Sequence, residues 1–140
     1  LFMITSARNT LYGTVDSVIT GAVNSEVVLS VGTEKIVATL TNESVKHLDI
    51  AIGSSAYALI KSSSIILAKI KPLRISARNV IKASVTDVVA GAVNSEIKMV
   101  IGNTELTAII TNESCEELMI KKDDEVYAIF KASSVIVGML

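Results

Sequence analysis

The hexapeptide Gly21-Ala22-Val23-Asn24-Ser25-Glu26 returns, letter for letter, seventy positions later as Gly91-Ala92-Val93-Asn94-Ser95-Glu96. The same offset relates Ser6-Ala7-Arg8-Asn9 to Ser76-Ala77-Arg78-Asn79, and Thr41-Asn42-Glu43-Ser44 to Thr111-Asn112-Glu113-Ser114. It also relates Lys61, Ser63 and Ser64 to Lys131, Ser133 and Ser134. No gap is needed, and the two copies agree at about 26 of 62 positions. The chain is one module written twice. Most of the identities are polar or small. Two copies that shared only a core would need to keep apolar character and little else, so polar identity in clusters points to a shared site or a shared interface.

The repeat divides the 140 residues into two modules, residues 1–69 and 70–140, of about 70 residues each. Modules that small bury a modest fraction of their surface and are marginal alone. Half the residues are apolar, yet the aromatic residues are only Phe2, Tyr12, Tyr57, Tyr127 and Phe130. The apolar mass is therefore mostly Val, Ile, Leu and Ala, which favours strands. No uncharged apolar run reaches the length of a membrane span, so the apolar surplus is expected between modules or subunits, in a homo-oligomer, dimer or trimer.

A net charge of −1 gives no global field to draw in nucleic acid or an acidic membrane, so any anion must be recognised locally. The few aromatics leave no stacking platform for single-stranded nucleic acid. The single cysteine, Cys115, permits no intrachain disulfide, and a cytoplasmic location is expected. The apolar start Leu1-Phe2-Met3-Ile4 is too short for a signal peptide. Because position 1 is Leu, a piece of a longer protein is one expectation for this chain.

Along the first copy, Leu11, Val15, Val18 and Ile19 alternate imperfectly, which predicts a strand over 10–20 with an irregularity near Gly13. Gly21 to Asn24 reads as a turn, with Gly21 and Gly91 expected at positive φ. Strands follow over 25–31 and 35–40 around a turn at Gly32-Thr33. Thr41-Asn42-Glu43-Ser44 ahead of Val45, Leu48 and Ile50 marks a short helix capped by Thr41 or Asn42. Gly53-Ser54-Ser55 ends that excursion. Strands over 57–61 and 65–70 complete the module, with Ser62-Ser63-Ser64 between them. The second copy repeats the plan, with Asp123-Asp124 as the turn. Five short strands with one helix between the third and fourth is the order of a small OB-like barrel, so the fold class is all-β: two tandem barrels. The connection between the copies, with the only proline, Pro72, leaves little slack, and the barrels are expected in a fixed relation.

No enzyme constellation is present. His47 has Glu117 at its repeat position and Cys115 has Val45, readings that suit a solvated imidazole and a buried inert thiol. No metal-ligand cluster or phosphate-loop glycine pattern occurs. What recurs is a set of donors: Ser6, Arg8, Thr41, Ser44, Lys61 and Ser63, with Ser76, Arg78, Thr111, Ser114, Lys131 and Ser133. Hydroxyls, amides at a helix start, one guanidinium and one ammonium are what a small oxyanion requires. One Arg and one Lys balance a dianion of the sulfate or molybdate type. Each residue also has a plainer reading: a strand start, a helix cap, a solvated lysine. Recurrence together, in register, favours the site.

These motifs, together with Lys61-Ser62-Ser63-Ser64-Ile65-Ile66-Leu67 and Lys131-Ala132-Ser133-Ser134-Val135-Ile136, resemble the molbindin (Mop) domain of the TOBE group over nearly the whole chain. The resemblance implies a tandem di-Mop protein whose OB-like barrels bind molybdate or tungstate between subunits, the metal entering only as the oxyanion. It implies that Ser6 and Arg8 come from one protomer and Thr41, Ser44 and Lys61 from its neighbour. The same split holds for Ser76 and Arg78 against Thr111, Ser114 and Lys131. The turns Gly21-Ala22-Val23-Asn24 and Gly91-Ala92-Val93-Asn94 would supply backbone contacts near the interface. Regulators of the family can carry an arginine where this chain has His47 and Glu117, which implies a less cationic pocket here. The function expected is molybdate storage and homeostasis. The alternative is the effector domain of a molybdate-responsive transcription regulator, whose open reading frame would add an N-terminal helix-turn-helix.

Overall fold

A computed structural model describes residues 5–140; the apolar start at residues 1–4 lies outside the described residues. The first copy runs β1 (Asn9–Thr20), β2 (Asn24–Val31), β3 (Glu34–Thr41), α1 (Asn42–His47), β4 (Ser55–Ile60), a 3-10 turn (Ser62–Ser64) and β5 (Ile66–Ala68). The second runs β6 (Asn79–Ala90), β7 (Asn94–Ile101), β8 (Thr104–Thr111), α2 (Asn112–Leu118), β9 (Glu125–Phe130), a 3-10 turn (Ala132–Ser134) and β10 (Ile136–Met139). The fold is mostly β, two curled five-stranded sheets with one short helix each.

The copies exchange their last strands. The first sheet has the order β10-β4-β1-β2-β3 and the second β5-β9-β6-β7-β8, all neighbours antiparallel. In the first, Ile136 faces Leu59 and Val137 faces Ala58; in the second, Ile66 faces Ile129 and Leu67 faces Ala128. Leu67 and Val137 are buried, so each copy closes the other's core with an apolar side chain. Hydrogen bonding thus crosses the boundary between residues 69 and 70 by one strand in each direction, and a flexible tether is ruled out.

Strand alternation is carried by aliphatic residues. In β2, Val27, Leu29 and Val31 point inward between half-buried neighbours, and in β3 Ile36 and Ala38 point inward on either side of the half-buried Val37. The irregularity expected near Gly13 is a bulge between Val15 and Ser17, repeated between Val85 and Asp87. Gly13 has another reason to be glycine: a Cβ there would stand 2.0 Å from the carbonyl oxygen of Ser30 on β2.

The expectation of positive φ at Gly21 and Gly91 is corrected. The glycines with positive φ are Gly32, Gly53 and Gly102. Gly21 is needed for proximity: its N–H donates to the Asn24 carbonyl at 2.9 Å, and a Cβ would lie 2.6 Å from that same oxygen. Gly91 repeats this, with Asn94 O at 2.8 Å from the added Cβ. Elsewhere the turn reading holds. Gly53 sits at φ 88°, and Asp123, its repeat partner, adopts φ 76°, an arrangement aspartate tolerates better than most residues.

Thr41 and Thr111 are the helix N-caps; each side chain accepts from the amide of Ser44 or Ser114 at 3.1 Å. Helices of six and seven residues are too short to persist on propensity, so capping and packing hold them.

Candidate anion-binding site

Register sets one arginine and one lysine of each copy just beyond the ends of paired strands. Asn9 faces Ile60 on β4, and Asn79 faces Phe130 on β9. Arg8 and Lys61 are therefore the next residues outward on adjacent strands, as are Arg78 and Lys131. Ser6 and Ser76 precede their arginines, and the 3-10 turns carrying Ser63 and Ser133 follow the lysines. Ser76 and Lys131 line one cleft of about 300 Å³, with Ser64 and Ser134 beside them and Ile75 and Phe130 among its apolar walls. Ser63 and Ser133 are exposed next to them in the chain.

The helix caps stand apart from the arginine of their own copy. Thr41 and Ser44 share an open cleft of about 460 Å³ with Glu43, His47 and Leu48 and no arginine or lysine. Thr41 Oγ1 donates to Ser44 Oγ at 2.8 Å, and Thr111 to Ser114 likewise. Each arginine instead reaches the other copy. Arg78 Nη1 and Nη2 donate to Glu26 Oε2 and Oε1 at 3.0 and 2.9 Å. Arg8 Nη2 donates to Glu96 Oε1 at 2.6 Å. Glu26 faces Thr39 on β3, two residues before the cap Thr41, and Glu96 faces Ile109, two before Thr111. The donors of one copy thus lie toward the caps of the other within a single chain. All twelve candidate donors are exposed or half-exposed.

The turns Gly21 to Asn24 and Gly91 to Asn94 are exposed and buttress the helix starts. The Val23 carbonyl accepts from the Asn42 amide at 2.9 Å, and the Gly21 carbonyl from Asn42 Nδ2 at 2.9 Å. Ser25 Oγ donates to Asn42 Oδ1 at 2.5 Å. Val93, Gly91, Ser95 and Asn112 repeat the network.

Some of the polar identity therefore belongs to the framework. Asn9 and Asn79, buried at the motif ends, clamp the other copy's edge strand: Asn79 takes the N–H and carbonyl of Val37, and Asn9 those of Thr107. Sequence reasoning passed over Glu26 and Glu96, although their place in the repeated hexapeptide was a signal. Arg78 holds the Glu26 carboxyl below its usual range, chiefly by hydrogen bonding, and the carboxylate raises the arginine in return.

Cys115 is buried, its Sγ 3.9 Å from the Ile120 carbonyl, and His47 is exposed. Among the described residues no group of three His, Cys, Asp or Glu is placed to hold a metal ion, and no helix is long and apolar enough to cross a membrane.

Comparison with known proteins matches the TOBE domain twice, over residues 5–67 and 75–137. The molybdenum transport protein ModE of Azotobacter vinelandii is 36% identical over 139 residues, covering 98% of this chain and 52% of that protein. The molybdenum-pterin-binding protein MopA of Rhodobacter capsulatus is 41% identical over 142 residues, 99% of this chain and 54% of that protein. The chain thus spans about half the length of these curated relatives. Among solved structures, the cytoplasmic molybdate-binding protein ModG, in a form with molybdate bound, superposes with a TM-score of 0.94 at 37% identity, covering 99% of this chain and 100% of that one. Two matched domains over most of the sequence, with the same strands in the same order in both, establish that the chain belongs to the TOBE-domain family.

Proposed function

We propose that this chain binds molybdate, and tungstate as its close analogue, and serves to store and buffer the oxyanion in the cytoplasm. The observation that carries this reading is the likeness along its whole length to a protein solved with molybdate bound. The donor set supports it chemically. Arg8 with Lys61, and Arg78 with Lys131, offer two positive charges each to a tetrahedral dianion. The capped helix starts offer paired hydroxyls, Thr41 with Ser44 and Thr111 with Ser114. The cations of each copy lie toward the caps of the other, and because all of these donors are open to solvent, a second protomer of a homo-oligomer would shield the sites from water. The role is binding rather than catalysis.

Isothermal titration with molybdate, tungstate and sulfate, with a solution mass measurement, tests this. The expected result is molybdate and tungstate bound tightly by an oligomer and sulfate poorly. A monomer that binds molybdate tightly would overturn the interface assignment, and no heat with molybdate would overturn the function. A second reading follows from the relatives' greater length: the chain is the effector-binding part of a molybdate-responsive regulator. An open reading frame extending upstream into a helix-turn-helix would favour it.

A further inference from the structure

Both arginines offered to the anion are already occupied. Arg78 is held by Glu26 through both terminal nitrogens, and Arg8 by Glu96 through one. Lys98 Nζ stands 4.0 Å from the same Glu96 oxygen, where the first copy has Val28. The two ion pairs recur at the same repeat positions, each joining one copy to the other, so they are a designed feature of the duplicated fold and not a chance surface contact. Side-chain exposures are 46% and 55% for Arg8 and Arg78, and 26% and 29% for Glu96 and Glu26. Pairs this open hold only weakly, which makes them displaceable.

We infer that Glu26 and Glu96 are selectivity residues: each carboxylate occupies the guanidinium that the anion needs, so an incoming anion must outcompete an internal one. This rests on the anion-binding reading above. The carboxylate is tethered, and a tethered competitor acts at an effective concentration in the millimolar range or above. A monoanion gains nothing from the exchange, because it replaces one single charge with another and loses its water. A dianion with four oxygens gains, because it engages the arginine together with the neighbouring lysine and hydroxyls. Two carboxylates in the repeated hexapeptide thus set a threshold that chloride or nitrate fails and a tetrahedral dianion passes.

The experiment compares the whole chain with Glu26→Gln and Glu96→Gln, titrated with sodium molybdate at low and high sodium chloride. Expected are tighter binding by about fivefold at the affected sites, the scale of an exposed ion pair, and a steeper loss with chloride than in the parent. Unchanged or weaker molybdate affinity in the folded variants would overturn the inference. Thermal melts without anion check folding. Should the Gln variants melt early, Glu26→Thr and Glu96→Thr, which suit half-buried strand positions, carry the same expectation. Arg8→Ala and Arg78→Ala separate the two readings. If they lose molybdate while the Glu variants gain nothing, the site stands and the gate falls. If they bind as tightly as the parent, the site itself is misassigned and the gate falls with it.

Discussion

Asn79 closes a two-point clamp on Val37: the Val37 N–H donates to Asn79 Oδ1 at 2.8 Å, and Asn79 Nδ2 donates to the Val37 carbonyl at 2.8 Å. Val37 lies on β3, an edge of the first sheet, so a side chain from the second copy satisfies backbone groups that would otherwise stand open. Unpaired edges template association with other strands. Asn79→Ala removes both bonds and leaves a part-buried N–H and C=O without partners, at a cost of about 2–4 kcal/mol. Urea unfolding of the variant checks this; a loss below about 0.5 kcal/mol would show that water replaces the clamp freely.

At the hairpin, Gly21→Ala and Gly91→Ala are expected to destabilise by about 1–3 kcal/mol each, through overpacking against the Asn24 and Asn94 carbonyls. The same contact closes the turn that supports Asn42 and Asn112, so the helix starts should loosen too. Hydrogen exchange at the Ser44 and Ser114 amides reads that second effect. Unchanged melting and exchange would show that the turn relaxes without cost.

Ser62 makes the opposite case. Its Oγ is buried with no hydrogen-bond partner, and the second copy has Ala132, also buried, at that position. Ser62→Ala should therefore stabilise, by up to about 1 kcal/mol, because it removes a desolvated hydroxyl. Ala132→Ser should cost a similar amount. Thermal melts of the pair decide it, and a clearly destabilised Ser62→Ala would reveal a partner for the hydroxyl.

Acid should weaken the fold through two carboxyls. Glu26 is lowered from 4.5 by hydrogen bonding to Arg78, and Asp124 from 3.8 by the Lys121 backbone amide and Lys69. A carboxyl lowered in the folded state binds its proton more readily when unfolded. Its stabilisation is then fully present above the unfolded pKa and is lost as pH falls through the folded one. Melting temperature should accordingly drop below about pH 4.5, and Glu26→Gln with Asp124→Asn should flatten that drop. An unaltered acid slope in the double variant would assign acid sensitivity to other carboxyls.

The proposed site predicts a contrast. Arg8→Ala should weaken molybdate binding at its sites about tenfold to a hundredfold, the scale of a charge-assisted hydrogen bond. It should leave the unliganded chain folded and remove most of the molybdate-dependent rise in melting temperature. Lys46→Ala, exposed on α1, should change neither. Equal affinities in the two variants would reduce Ser-Ala-Arg-Asn to a strand start.

The sequence alone determined what is local and what is periodic. Alternation of Val27, Leu29 and Val31 laid down a strand, Thr41 before Asn42-Glu43-Ser44 laid down a cap, and the seventy-residue offset stated the duplication. These signals come from residues within a few positions of one another, or from identity. Partners across the chain were decided only by the tertiary structure. Nothing in Ile66-Leu67-Ala68 says that it pairs with β9 and not β4, because two copies so alike offer nearly the same edge, and geometry of the connection chooses between them. The polar identities divided in the same way. Asn9 and Arg8 are neighbours in one motif, yet Asn9, the first residue of β1, is buried against Thr107 while Arg8, just ahead of the strand, points outward to Glu96. Gly21 shows the remaining limit: a glycine required by steric approach and one required by positive φ are the same letter, and only the distance to Asn24 O tells them apart.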